Sequence, residues 1–405
     1  MIEIARAFEG CEYGRRSAHG PLGIRKGGTS SEDSVTGRGQ DVYRRAVENF
    51  IGTVEIPVGL AGPLRVVGTF AKGDYFVPLA TTEAALVASY SRGAKVITEA
   101  GGCSVALLAE AIDRAPGFAF KDLREASQFV DWAVSRLQDF RRVAESTSAH
   151  VRLLDVRPTV EGNHVYLNFS FTTGEAAGQN MVTFATAAVC EYIEGAAPVC
   201  PCLMFLEANH SGDKKACAAS LARVRGKRVS AEVVLPAALV EKHLRTTPED
   251  FVDYWRMGVI GGVLSGTIGI QGHFANGLAA LYIACGQDVA CVAESAVGIT
   301  RSEVTGSGDL YASVTLPNIA VGTVGGGTQL PDQRAYLNTL GLAGADSARA
   351  LAEVCAALCL AGELSLGAAM CANSFSRAHR VMARFRARGS RRRCGTERRI
   401  PEDHQ

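Results

Sequence analysis

One acid in this chain stands where an acid is costly. The stretch His273 to Ser295 is apolar nearly all the way round between Ala275 and Ala293, and it holds Asp288 just after Gly286-Gln287. Such a run reads as a buried helix, able at 1.5 Å per residue to span roughly 35 Å. A carboxylate inside it needs a cation or hydrogen-bond donors. The other groups suited to proton transfer or charge stabilisation lie far off in sequence. Lys214 and Lys215 close the loop Ser211-Gly-Asp-Lys-Lys215, Glu83 follows Thr81-Thr82, and His379 ends an Ala-rich run. Singly, each has a bland reading: a solvated lysine pair, a surface acid in the first turn of a capped helix, and a satisfied histidine. The Gly325 to Gly327 run reads as a turn needing positive φ or as a phosphate cradle. Gly174-x-x-x-Gly178 lacks the dinucleotide-binding spacing, so no Rossmann site is indicated.

The elements that must position these groups follow from the rest of the chain. Its 405 residues exceed one small core, so at least two domains are expected. An apolar content of 47% with 20% charge is that of a folded globular protein. A net charge of +1 implies no bulk attraction to nucleic acid. The 12 cysteines form no C-x-x-C pair, so thiols rather than disulfides are expected and no metal site is indicated. No signal peptide is seen, which favours a reduced, cytoplasmic setting. The apolar run Ala350 to Ala372 carries Glu353 and Glu363 and makes a poor membrane span.

Residues 1–40 read as a loosely held arm and 41–115 as the first part of a large domain, with a short helix over Val42 to Ile51. A strand is expected from Val54, a hairpin over Val66 to Val77, and a helix opening at Thr81-Thr82. Residues 116–206 change texture. Phe129, Trp132, Ala133, Leu137, Phe140 and Val143 recur at helical spacing. Strand-like runs follow over Val151 to Val156 and His164 to Phe171, then a helix over Gly174 to Ile193 and a strand over Cys202 to Leu206. That order suits an inserted ferredoxin-like α+β domain. Residues 207–380 return to the large domain, with strands over Lys227 to Leu235 and Leu310 to Leu316 and a last core helix from Ala348 through His379. A basic tail, 381–405, ends the chain.

Taken together, long motifs in order resemble those of the 3-hydroxy-3-methylglutaryl-CoA reductase family over residues 45 to 380. They are Glu48-Asn-Phe-Ile-Gly52; Pro57-Val-Gly-Leu-Ala-Gly-Pro-Leu64; Pro78-Leu-Ala-Thr-Thr-Glu-Ala-Ala-Leu-Val-Ala-Ser89; Gly178-Gln-Asn-Met-Val182; Asp213-Lys-Lys215; Ile283-Ala-Cys-Gly-Gln-Asp288; Gly322-Thr-Val-Gly-Gly-Gly-Thr328; and Ala361-Gly-Glu-Leu-Ser-Leu366. The Asp-Lys-Lys and Gln-Asn-Met runs lie closest to the class I branch. The resemblance implies an α+β fold, with a large domain around a central buried helix and the inserted small domain binding NADPH. It implies homodimers or dimers of dimers with shared sites, and neither nucleic acid nor membrane as a partner. It places the catalytic roles on Glu83, Lys214, Asp288 and His379. Reducing the thioester to mevalonate takes two hydrides, through a hemithioacetal and an aldehyde. Lys214 would stabilise the oxyanion, and Asp288 would hold Lys214 and keep Glu83 a proton donor by like-charge repulsion. His379 would protonate the departing CoA thiolate. Substrate contacts carry over to Ser89, Arg92, Lys95, Arg114, Asn209, Lys215 and Arg256, and cofactor contacts to Ser148, His150, Glu175, Gly178, Gln179 and Asn180.

The chain departs from the family pattern in places. Glu207-Ala-Asn-His-Ser-Gly212 sets an acid where a substrate-contacting serine is usual, Glu175 replaces an aspartate, Arg256 replaces a lysine, and Ala149 replaces an arginine. Three rival readings follow. One is NAD-linked mevalonate oxidation on the same fold. The second is a non-catalytic acyl-CoA-binding homologue, against which the intact quartet argues. The third is CoA acyl transfer, which needs a nucleophile, and neither Cys217 nor Cys285 has a histidine partner visible in sequence.

Overall fold

The computed structural model of the chain describes residues 37–372. The chain divides into two compact units, one ending at Phe50 and one beginning at Ile51. In the first, helix α1 (Gly37–Ala46) is followed by a ring stack of Tyr43 on Phe50.

In the second unit, β1 (Val58–Gly68) and β2 (Lys72–Ala80) form an antiparallel hairpin that leads to helix α2 (Leu86–Glu99). Strand β3 (Cys103–Arg114) is the seam of the unit. It runs parallel to β1 and antiparallel to β8 (Gly226–Leu235), which continues to β10 (Leu310–Ile319) and β9 (Ile299–Val304). Its last residues, Ile112 to Arg114, cross to pair with β6 (His164–Thr172). Strand β6 also pairs with β5 (Arg152–Glu161) and with β4 (Gly117–Ala119), which pairs with β7 (Leu203–Phe205). Helices α3 (Leu123–Ser135) and α4 (Leu137–Glu145) lie between β4 and β5, and α5 (Gln179–Ala196) lies between β6 and β7. The antiparallel order β7-β4-β6-β5 therefore carries a βα–β–βα–β sequence, with its own apolar cluster built on Phe118, Phe129, Phe140, Phe169 and Val189. A larger cluster lies under β1, β8 and β10.

The long buried helix is not the one at 273–295. Helix α9 (Ala348–Cys371) is buried without a break from Ala350 to Gly362. Its approach to α2 depends on Gly93, where a Cβ would lie 1.8 Å from the Ala361 carbonyl oxygen. Helix α9 is long and apolar enough to cross a membrane, but 72% of its most apolar window is packed inside the fold. Its fully buried Glu353 accepts hydrogen bonds from the main-chain N–H groups of Phe70 and Ala71, at 2.8 and 2.7 Å, and so ties the β1–β2 turn to the core.

Where one helix over 273–295 is expected, the structure has a break. Helix α7 (Phe274–Ala284) follows α6 (Pro248–Ser265) and stops at Ala284. Gly286 turns the chain at φ 66°, against Gly327, whose carbonyl oxygen would sit 2.3 Å from any Cβ added there. A 3-10 turn over Val289–Cys291 and one helical turn over Val292–Ser295 follow. Both sides of the break pack apolar residues, so hydrophobicity alone carries no trace of it. Helix α2 likewise starts later than the Thr81-Thr82 pair suggests. It is entered through Ala85 at φ 72°, and Thr81 Oγ1 accepts from Glu83 N at 3.0 Å. Glu83 therefore sits in a turn before the helix and outside its first-turn dipole field. Helix α8 (Pro331–Thr339) precedes α9.

Candidate active site

The loop after β7 carries Lys214 in the left-handed region at φ 57°. Its ammonium lies 2.8 Å from Asp288 Oδ2, with the two side chains 42% and 40% exposed. The bond to Asp288 raises the pKa of Lys214 above the ordinary lysine value, so the ammonium stays charged. Asp288 Oδ1 accepts from Ala290 N at 3.0 Å and caps the 3-10 turn. The expected buried acid is thus a surface acid, because the helix break lifts it out of the core. The shared sites that the resemblance implies do not separate this pair, since Lys214 and Asp288 meet within one chain.

Glu83 lies elsewhere. Its Oε2 accepts from Asn276 Nδ2 at 3.0 Å, and both residues line a cavity of about 450 Å³ beside α2 and α7. Asn276 is in the first turn of α7 and Asp288 lies beyond its last. At 1.5 Å per residue that helix holds Glu83 and the Lys214–Asp288 pair roughly 15 Å apart along its axis. One chain therefore presents two separate polar pairs, an acid with an amide at one end of α7 and a cation with an acid beyond the other.

The first turn of α7 is held by α9. Glu363 accepts from Gly272 N, 2.9 Å away, and from His273 N. His273 stacks on Tyr90 at 4.7 Å between ring centroids, its Nε2 is buried without a partner, and burial lowers its pKa. Burial pushes Glu363 up to about 7 against the pull of its two N–H donors. With a folded pKa above the unfolded one, the unfolded state holds fewer protons between pH 4.5 and 7, so stability falls as pH rises through that window. Part of Glu363 remains accessible, so the effect is discounted to roughly 1–2 kcal/mol. Melting curves of Glu363→Gln are expected to lose this slope; a slope equal to that of the unsubstituted protein would assign it to other groups.

The remaining expected residues fall into three groups. On α2, Ser89 Oγ lies 3.0 Å from Ser365 Oγ and Arg92 Nε donates to the same oxygen at 3.0 Å, whereas Lys95 faces Glu99 along its own helix at 3.8 Å. Around the Lys214 loop, the buried Arg114 donates through Nη1 to Glu207 at 3.3 Å and to Asp213 at 3.1 Å. There Lys215 Nζ donates to the Asp213 carbonyl at 2.9 Å, and Asn209 is exposed at φ 67°. Arg256 is apart from both, on the exposed face of α6, paired with Asp253 at 3.0 Å.

The expected cofactor residues cluster less tightly. Gly178 at φ 84° starts α5, followed by Gln179 and Asn180, and that helix has no side-chain cap and no acid in its first turn. Ser148 Oγ accepts from His150 N at 3.2 Å before β5. Glu175 is occupied: its Oε2 takes the N–H groups of Ser347 and Ala348 at 2.8 and 2.7 Å, capping the start of α9. His379 lies outside the described residues. Asn276, His273, Arg225 and Glu294 are the site neighbours that sequence reasoning missed. Asn276 and His273 stood in the quoted apolar stretch as its only polar side chains near the start, which is the signal that was available. Among the described residues no group of three acids, histidines or cysteines is arranged to hold a metal ion.

Comparison with known proteins gives the family of the chain. The family described as hydroxymethylglutaryl-coenzyme A reductase matches residues 26–384. A relative from Aeropyrum pernix called 3-hydroxy-3-methylglutaryl-coenzyme A reductase is 44% identical over 352 residues, covering 85% of this chain and 83% of its own. The chain belongs to the hydroxymethylglutaryl-coenzyme A reductase family. A second reductase of the family, from Pyrococcus horikoshii, is 44% identical with 85% of each chain covered. Among solved structures, the class II reductase from Streptococcus pneumoniae, bound to NADPH, superposes with a TM-score of 0.66 at 20% identity. It covers 82% of this chain and 89% of its own, and at that identity the likeness is one of fold.

Proposed function

We propose that the protein reduces 3-hydroxy-3-methylglutaryl-CoA to mevalonate and CoA with NADPH, at sites shared by two copies of the chain. The observation that carries this reading is the Lys214–Asp288 pair, a charged ammonium fixed 2.8 Å from its acid and open to a ligand. The nicotinamide cofactor supplies a hydride to each of two carbonyl groups in turn. Each addition leaves negative charge on an oxygen, which Lys214 stabilises, and a proton quenches the second of these oxyanions. Glu83, oriented by Asn276, is the donor for that proton. The first oxyanion collapses with release of the CoA thiolate, which His379 protonates, and the aldehyde takes the second hydride. In Asp288 we see the residue that holds the ammonium charged and aimed.

Two half-sites roughly 15 Å apart in one chain meet only if Glu83 and Asn276 of one copy face Lys214 and Asp288 of another. The face of α6 supports pairing, since Met257, Ile260, Val263 and Leu264 are 77%, 60%, 67% and 83% exposed. The uncapped start of α5 suits an anionic cofactor group, with free main-chain N–H groups at Gly178, Gln179 and Asn180. Ser148 and His150 would flank it. Absorbance at the nicotinamide band with the acyl-CoA and each coenzyme tests the reading; consumption of neither would overturn it.

Two departures from the family pattern give further expectations. Ala149 leaves no guanidinium for a 2′-phosphate at that position, so discrimination against NADH should be weak. Ala149→Arg is expected to raise the NADPH/NADH ratio of kcat/KM by about ten- to a hundredfold, the worth of one charge-assisted bond. Outright preference for NADH in the unsubstituted protein would overturn NADPH as the coenzyme and favour the reading of NAD-linked mevalonate oxidation. Glu207 keeps part of the Arg114 fork occupied at 3.3 Å, in competition with an acidic substrate. Glu207→Ser should lower KM for the acyl-CoA by about three- to tenfold with kcat little changed. A higher KM would mean that Glu207 aids binding.

A further inference from the structure

The Lys214 loop is anchored by a residue outside the expected catalytic set. We propose that Arg225 is a positioning residue for the reduction, locking the Lys214 turn to the turn after Asp288 and to the start of α5. This rests on the reductase reading above and assigns a part that neither motif nor charge count brought forward.

Arg225 is 4% exposed and sits where the chain enters β8, its own N–H donating to Asn318 Oδ1 at 2.7 Å. Its guanidinium meets three separate elements. Nη1 donates to Glu294 Oε1 at 2.6 Å, in the helical turn that follows Asp288. Nη2 donates to Gln179 Oε1 at 2.6 Å, at the first residue of α5. The same nitrogen lies 2.7 Å from Asp213 Oδ1, off the N–H axis, so that contact is an ion pair rather than a directed hydrogen bond. Glu294 is itself 1% exposed, and its Oε2 is buried without a hydrogen-bond partner.

These contacts have a purpose only where geometry must be kept. Lys214 holds a left-handed conformation at φ 57°, which is strained for a residue with a Cβ and persists only under outside constraint. Asp213, the residue before it, is clamped by Arg225 and by Arg114 at 3.1 Å. Asp288 holds the ammonium from the far side. Among the described residues, Arg225 is the one side chain that touches the Lys214 turn, the Asp288 segment through Glu294, and the helix start proposed for the cofactor. A planar fork does this with fixed angles; an ammonium at the same place cannot serve three acceptors in one plane.

A purely structural ion pair predicts something different, and the kinetics separate the two. Arg225→Lys keeps the charge and loses the fork, and it is expected to lower kcat by about a hundredfold, as a small misplacement of a reacting group does. KM for the acyl-CoA should stay within about threefold, because the Arg225 guanidinium is engaged by Glu294, Gln179 and Asp213 and is not left free for substrate. Reduction of mevaldehyde should fall in the same proportion as thioester reduction, since both hydride additions need the Lys214 ammonium. Arg225→Met/Glu294→Met replaces the buried pair with apolar side chains, a change that tends to preserve or raise stability. Its melting temperature should recover relative to Arg225→Met while kcat stays low. Recovery of kcat together with melting temperature would overturn the proposal and leave Arg225 a structural residue. If the double variant does not fold, Arg225→Lys decides: kcat within threefold of the unsubstituted protein overturns it. Absence of reductase activity in the unsubstituted protein would sink the reductase reading instead, and is measured first.

Discussion

Lys214→Ala is expected to lower kcat by about a thousandfold while leaving the fold and acyl-CoA binding intact. The magnitude is that of removing a preorganised donor from a developing oxyanion. The lack of a stability cost follows from exposure. Lys214 and Asp288 are 42% and 40% exposed, so Asp288 left without its cation is solvated rather than stranded. Asp288 keeps its other role, accepting from Ala290 N, so the 3-10 turn survives. Calorimetric titration with the acyl-CoA, melting curves and steady-state absorbance together check the claim. Turnover within threefold of the unsubstituted protein would remove Lys214 from the chemistry, and lost binding would recast it as a substrate anchor.

How much of this was legible in sequence depended on whether a feature is local. The alternating strands β5 and β6 and the turn between them follow from period and turn residues, and the spacing of Phe129, Ala133 and Phe140 marks the buried side of α3 and α4. Asp288 needing a cation was also readable, because an acid in an apolar run poses that question whatever the fold. The answer it receives was not readable in full. Gly286 ends α7 because Gly327, distant in sequence, closes on it, and no periodicity reports such an encounter. The break moves Asp288 from core to surface and reverses its electrostatics, from a desolvated acid to a solvated one. Glu175 shows the same limit. The resemblance implies it as a cofactor contact, while its carboxylate caps α9, some 170 residues later, a contact no local pattern reports. Arg225 was hidden by its bland setting, since a single arginine at the head of a strand has no sequence mark that separates it from a surface charge.

Mixing two inactive variants should restore activity, and the pairing that works discriminates between arrangements of the site. Within one chain, Lys214 is bonded to Asp288 and Glu83 to Asn276 at the other end of α7. If a working site takes Glu83 from one copy and Lys214 from another, a hybrid of Glu83→Ala and Lys214→Ala subunits holds one site with both residues lost and one with both intact. Random exchange makes about half the dimers hybrids by simple statistics, and one of two sites works in each. About a quarter of full activity should then appear from two preparations that are each nearly silent. Lys214→Ala mixed with Asp288→Ala should recover nothing, because those residues travel together and every hybrid site lacks one of them. Recovery in the second mixture would mean that Lys214 and Asp288 of a working site come from different copies, against the pair seen within one chain. No recovery in the first, despite exchange demonstrated by mass spectrometry of the mixed dimers, would mean that the two half-sites are not brought together by pairing. Glu83 would then need a second conformation of its own chain to reach Lys214, across a helix that α9 holds fixed at its first turn through Glu363.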